Sequence, residues 1–134
     1  MAFTSRTFQY VPVAVLSAIG REDAASTASG VLVEVGTGLD LDVKGGIYVI
    51  GASATIATVT GTIARVQFLA GSDVVTDVTF PQGAGGRIGG LFMLDLPGLQ
   101  TRRFAWHAMS DGSGATVDLT DLHFVLMAIG APAA

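Results

Sequence analysis

Apolar and polar residues exchange places at every second position along most of this chain, and glycine or proline breaks the pattern at intervals of roughly 8 to 12 residues. A period of two is the signature of a strand with one face buried, because successive side chains point to opposite sides of a pleated backbone. In Thr62–Ala70, Ala64, Val66 and Phe68 share one face and Arg65 and Gln67 the other. Asp73–Phe80 sets Val74, Val78 and Phe80 against Asp77, and Gly71-Ser72 between the two segments suits a tight hairpin turn. Thr101–Met109 alternates again, with Phe104, Trp106 and Ala108 opposite Arg103, Ala105 and His107. Further strands are expected at Phe8–Val13, Val31–Val35, Gly46–Ala57, Leu91–Leu96 and Ala115–Leu119, and a last one over Asp121–Ile129. Gly51 suggests a bulge or a close approach. Pro81–Gly90 and Asp111–Gly114 are expected as loops, and Arg21–Ser29 alone looks helical, for a turn or two. About nine strands in one domain, residues 1–134, predict an all-β antiparallel sandwich. Residues 1–13 are expected as an N-terminal arm.

Half of the residues are hydrophobic, 13% are charged, and asparagine is absent. A domain of this size leaves about a third of its chain surface outside the core. So few charges cover that surface thinly, which points to a subunit whose surface meets other protein. In the last segment, Leu122, Phe124 and Leu126 occupy one face and Val125, Met127 and Ile129 the other. Both faces are apolar, the pattern of a strand buried on two sides.

Several function classes are excluded or unsupported. The formal charge is −4, and of the seven basic residues only Arg102 and Arg103 adjoin, so no basic tract is available for nucleic acid. No run of 18 apolar residues is present to span a membrane as a helix. Without cysteine there is no disulfide or thiolate metal site. The glycine-rich PQGAGGRIGG runs into a strand and lacks the Lys-Ser or Lys-Thr of a phosphate loop. No serine sits in a nucleophile elbow. Asp40 and Asp42 bring two carboxylates where calcium asks for six to eight oxygens. His107 and His123 lack an evident third ligand and are expected as hydrogen-bonded structural residues. Asp95 is the carboxylate most open to burial, or to pairing with Arg103 across a hairpin. Nothing amounts to an active site, a resident metal or a cofactor, and the chain is not expected to be an enzyme.

Two resemblances sharpen the expectation. Gly46-Ile47-Tyr48 within GGIYVIGASATI, together with the apolar closing strand Leu122–Ile129, resembles the trimeric jelly-roll family of tumour necrosis factor and the complement globular heads. That resemblance implies a jelly roll and a homotrimer, with Tyr48, Phe124 and Leu126 at the trimer interface or in the core. In its Ala/Gly/Thr/Val-rich, cysteine-free composition the whole chain looks like the capsid decoration (cement) proteins of tailed bacteriophages. This implies a virion structural protein on the capsid exterior, with the major capsid protein as partner. Phe3, Phe8 and Tyr10 of the arm would then be the capsid contacts. The alternative is a head- or tail-fibre tip that binds host glycan, which an exposed pocket of Trp106 and carboxylates would favour.

Overall fold

The computed structural model describes residues 18–83, 85–96, 98–111 and 115–130. Within them eight strands follow in chain order: β1 Ala18–Thr27, β2 Val33–Val43, β3 Gly46–Val59, β4 Ile63–Ala70, β5 Asp73–Pro81, β6 Gly86–Leu96, β7 Gln100–Asp111 and β8 Val117–Gly130. They form two four-stranded antiparallel sheets, β1-β8-β3-β6 and β2-β7-β4-β5. Every connection crosses between sheets except the β4–β5 hairpin. That winding is an eight-stranded jelly roll, in agreement with the expected sandwich.

The alternation explains the layers. Along β3, from Gly46 to Ile56, buried and half-buried residues alternate without a break. Tyr48, Ile50, Ala52, Ala54 and Ile56 therefore face the opposite sheet, and the odd-numbered residues face outward. Phe124 of β8 reaches across to Phe68 of β4 and Phe104 of β7, with ring centroids 5.1 and 5.5 Å apart. Trp106 lies 5.0 Å from Phe68 on its other side. Gly20 makes room for this cluster, since a Cβ there would fall 2.1 Å from the Phe124 ring. The predicted Gly71-Ser72 turn is present, with Gly71 at φ +66°, a conformation glycine adopts at little cost.

Three local expectations fail, and the one for Gly51 is narrowed. Residues 21–27 are not helical but lie in β1, paired with His123–Val117 of β8; pairing to a long central strand outweighs weak helix propensity. Gly86–Gly90 is strand, paired with Ile56–Ala52 of β3, so β6 begins five residues before Leu91. Gly51 carries no bulge against β6: it faces Leu91, whose Cδ2 would lie 3.2 Å from an added Cβ, so close approach is the reason for the glycine. Val74 is exposed and Val75 buried, because a register shift beside Phe68 and Leu69 moves β5 by one residue.

Phe68 is fully enclosed and touches two aromatic rings. Phe68→Ala should destabilise the domain by about 3–5 kcal/mol, read as a lower urea midpoint with an unchanged slope.

Candidate functional site: the outer face of the β1-β8-β3-β6 sheet

The outward residues of this sheet fall into cross-strand rows. Val49 of β3 lies between Met127 of β8 and Met93 of β6, and Gly51 lies between Val125 and Leu91. Leu91 is 80% exposed, Met93 64% and Met127 46%. Beside this apolar band runs a polar one. Ser53 is paired with His123 and Gly89, and its hydroxyl lies 2.8 Å from His123 Nε2. Arg87 donates to Ser53 Oγ at 3.0 Å and to Asp121 Oδ2 at 2.9 Å, and Arg21 approaches Asp121 at 3.9 Å. A shallow trough follows the apolar band and ends at Ser53 and His123.

Asp121 is held in the left-handed region, φ +50°, where β8 slips register against β3. Aspartate tolerates that conformation better than most residues. Its hydrogen bond from Arg87 keeps the carboxyl below the usual carboxylate range. The Ser53 hydroxyl that lies against the His123 ring also accepts from Arg87, and among the described residues no carboxylate hydrogen-bonds the imidazole. The closing strand is apolar on both sides, but the expectation that both are buried fails: Leu122, Phe124 and Leu126 are covered by the opposite sheet, whereas Met127 and Ile129 are exposed.

The opposite outer face, on β2-β7-β4-β5, is of another kind. Arg103 pairs with Glu34 at 2.7 Å and Asp40 at 3.0 Å. Arg65 pairs with Asp77 at 2.6 Å, and Gln67 donates to the same carboxylate at 3.0 Å. Asp42 accepts from Thr101 Oγ1 at 2.6 Å. Cross-strand pairs of this kind belong to a face in contact with water.

A second concavity, of about 410 Å³, opens between β1 and β2 over Phe68, Phe104, Trp106 and Phe124. β2 leaves its pairing with β7 between Val35 and Leu39, and Glu22 of β1 closes over the gap by accepting from Thr37 N at 2.9 Å. Trp106 forms its floor but is only 5% exposed. It offers no ring face for a sugar to stack on.

The sequence-derived site residues fall as follows. Tyr48, Phe124 and Leu126 lie in the interior, and Tyr48 donates through its hydroxyl to Lys44 O at 2.7 Å; burial raises its pKa. They present no surface to a neighbour. Phe3, Phe8 and Tyr10 lie outside the described residues. His107 and His123 sit on opposite outer faces and cannot share a ligand. His123 is hydrogen-bonded as expected, whereas His107 Nδ1 is buried without a partner among the described residues. Asp95 is neither buried nor paired with Arg103: the two residues face outward from different sheets. Asp40 is taken up by Arg103. Met127 belongs to the second apolar side that the sequence of β8 shows, whereas nothing in the sequence of β6 sets Leu91 and Met93 apart as exposed.

No family model and no curated protein matches the sequence. The fold is similar to a chain in the structure of infectious bursal disease virus, Gt strain, at 11% identity and TM-score 0.53, covering 96% of this chain and 34% of that one. It is also similar to the VP2 subviral particle of that virus, at 11% identity and TM-score 0.53, covering 87% and 32%. A family 16 carbohydrate-binding module is more distant, at 13% identity and TM-score 0.44, covering 74% of this chain and 73% of that one. This chain spans about a third of the length of the viral chains, and at such identities the likeness shows the fold alone.

Asp77 has its pKa lowered chiefly by the hydrogen bond from Arg65. A depressed folded-state value contributes stability above the unfolded value, about pH 4, that is lost as pH falls through the folded one. Asp77→Asn should therefore melt lower than the parent at pH 7 and lose less on acidification from pH 5 to 2, measured by calorimetry across pH.

Proposed function

We propose that this chain is a virion structural protein, a decoration subunit seated on a capsid exterior, held in its assembly by the outer face of the β1-β8-β3-β6 sheet. The observation that carries the reading is the contrast between the two outer faces. One is laced with cross-strand ion pairs and suits water; the other displays Leu91, Met93 and Met127 beside a polar rim. An apolar centre with a polar border is the anatomy of a protein interface. Strand spacing of about 4.8 Å and a rise of about 3.4 Å per residue give four strands of eleven residues a face of roughly 700 Å². That approaches the about 800 Å² per partner of a stable contact. The jelly roll supports the reading as a fold that the VP2 subviral particle also contains.

Such a subunit acts by mass action. It binds assembled capsomers and not dissociated ones, and so shifts the equilibrium toward the shell. Phe3, Phe8 and Tyr10 supply a second set of contacts in this reading, as an apolar arm that adds to a neighbour's sheet edge.

The test is co-sedimentation with capsids from a virus deleted for this gene. Val49→Lys and Met127→Lys should fold and lose binding by roughly tenfold or more, while Asp42→Lys on the opposite face should bind as the parent does. Equal binding by all three would remove the reading. Deleting residues 2–10 should weaken attachment in a way insensitive to salt, because the contact is apolar; undiminished binding would remove the arm from it.

A further inference from the structure

Each sheet ends in two edge strands, and three of the four edges are guarded. β1 carries Arg21, Glu22 and Asp23 in mid-strand. β2 carries Glu34, Asp40 and Asp42 and leaves its ladder between Val35 and Leu39. β5 carries Asp73 and Asp77 and ends in Pro81. Charges, irregularities and proline are the devices that keep an edge from recruiting another strand. β6 has none of them from Ile88 to Leu94, where it reads IGGLFML, and among the described residues its one ladder partner is β3.

We propose that β6 pairs with β6 of a second copy, antiparallel about a twofold axis at Leu91, joining the two β1-β8-β3-β6 sheets into one of eight strands. This inference rests on the reading of the chain as an assembly subunit. The strand is complementary to itself in that register. Centred on Leu91, the whole of Gly86–Leu96 overlaps its copy end to end. Arg87 then stands opposite Asp95 of the second copy, and Asp95 opposite Arg87. Met93 stands opposite Gly89, and on the inward side Phe92 opposite Gly90, so each large side chain meets a residue without one. Arg87, Gly89, Leu91, Met93 and Asp95 all point outward, so the apolar bands of the two copies become continuous. Among the described residues Asp95 has no cation within salt-bridge distance; Arg87, half exposed, holds Asp121 through Nη1 and Ser53 through Nη2, which leaves its Nε for a second carboxylate. A parallel in-register copy would instead set Arg87 on Arg87 and Asp95 on Asp95, and like charges directly opposite disfavour it. A twofold contact uses the same patch on both subunits, so it closes at two copies rather than growing into fibres.

The chain has no cysteine, which makes the geometry testable with single introduced ones. Sedimentation equilibrium of the parent should show a species of twice 13.6 kDa. Leu91→Cys lies on the axis, where directly opposed Cα atoms are about 4.5 to 5.5 Å apart, within disulfide range. It should crosslink almost fully under mild oxidation. Met93→Cys lies two residues off the axis, about 14 Å from its own copy along the strands, and should not crosslink. Leu91→Lys places two ammonium groups together on the axis and should weaken pairing by roughly tenfold or more. Because Leu91 is 80% exposed, the Lys variant should keep the parent circular dichroism and melting profile of the monomer. A parent that stays monomeric, a Met93→Cys crosslink as complete as that of Leu91→Cys, or undiminished pairing in Leu91→Lys would each overturn the proposal. Capsid co-sedimentation run in parallel separates the two readings. A monomer that binds capsids overturns the twofold pairing alone, and a parent dimer that ignores them upholds the pairing and overturns the decoration role.

Discussion

Phe124 is the contact on which the sandwich depends. It projects from the central strand of one sheet and meets Phe68 and Phe104 of the other, while Gly20 on its own sheet leaves it space. Aromatic pairs at these separations add to the gain from burial alone. The cluster fixes which face of β8 is inward. Because the side-chain period is two, it also fixes that Val125 and Met127 point out. The outer apolar band is a direct consequence of the way the core is filled.

That band is apolar surface that the chain by itself leaves uncovered. Burying a leucine or methionine side chain contributes about 1.5–3 kcal/mol before the costs of ordering. Leu91 and Met93 leave most of that unrealised within one chain, and Met127 nearly half. On the other sheet the equivalent positions carry Arg65, Gln67 and Arg103, each engaged across strands. The two sheets are equal in strand number and differ in surface chemistry: on the second, the exposed Leu39, Ile63 and Val74 lie on three different strands and ion pairs cross between them. The polar row of Ser53, Arg87, His123 and Asp121 borders the apolar one without interrupting it. Its hydrogen bonds run within the chain, which leaves the row intact whether or not a partner is present.

Much of the architecture was legible in the sequence because strand periodicity is local. Ala64, Val66, Phe68, Phe104 and Trp106 declare their inward face within a few residues. Gly71-Ser72 declares its turn by the conformation glycine permits. Most of the misreadings share one cause, a partner distant in sequence; Val74 is the exception, turned outward by a register shift within its own hairpin. Residues 21–27 became strand because β8 lies beside them, and Gly86–Gly90 became strand because β3 does. Asp95 and Arg103 are close in sequence, yet the β6–β7 connection changes sheets and turns them away from each other.

By itself, then, the sequence determined the all-β class, the inward set of side chains, and the excess of apolar residues on the closing strand. These follow from composition and from a two-residue period that needs no knowledge of neighbours. Tertiary structure alone decided that the second apolar side of β8 lies open, that it aligns with Leu91 and Met93 into one band, and that β6 is an edge. Those properties depend on strand order, and strand order is set by how the chain winds between two sheets, which no local pattern encodes.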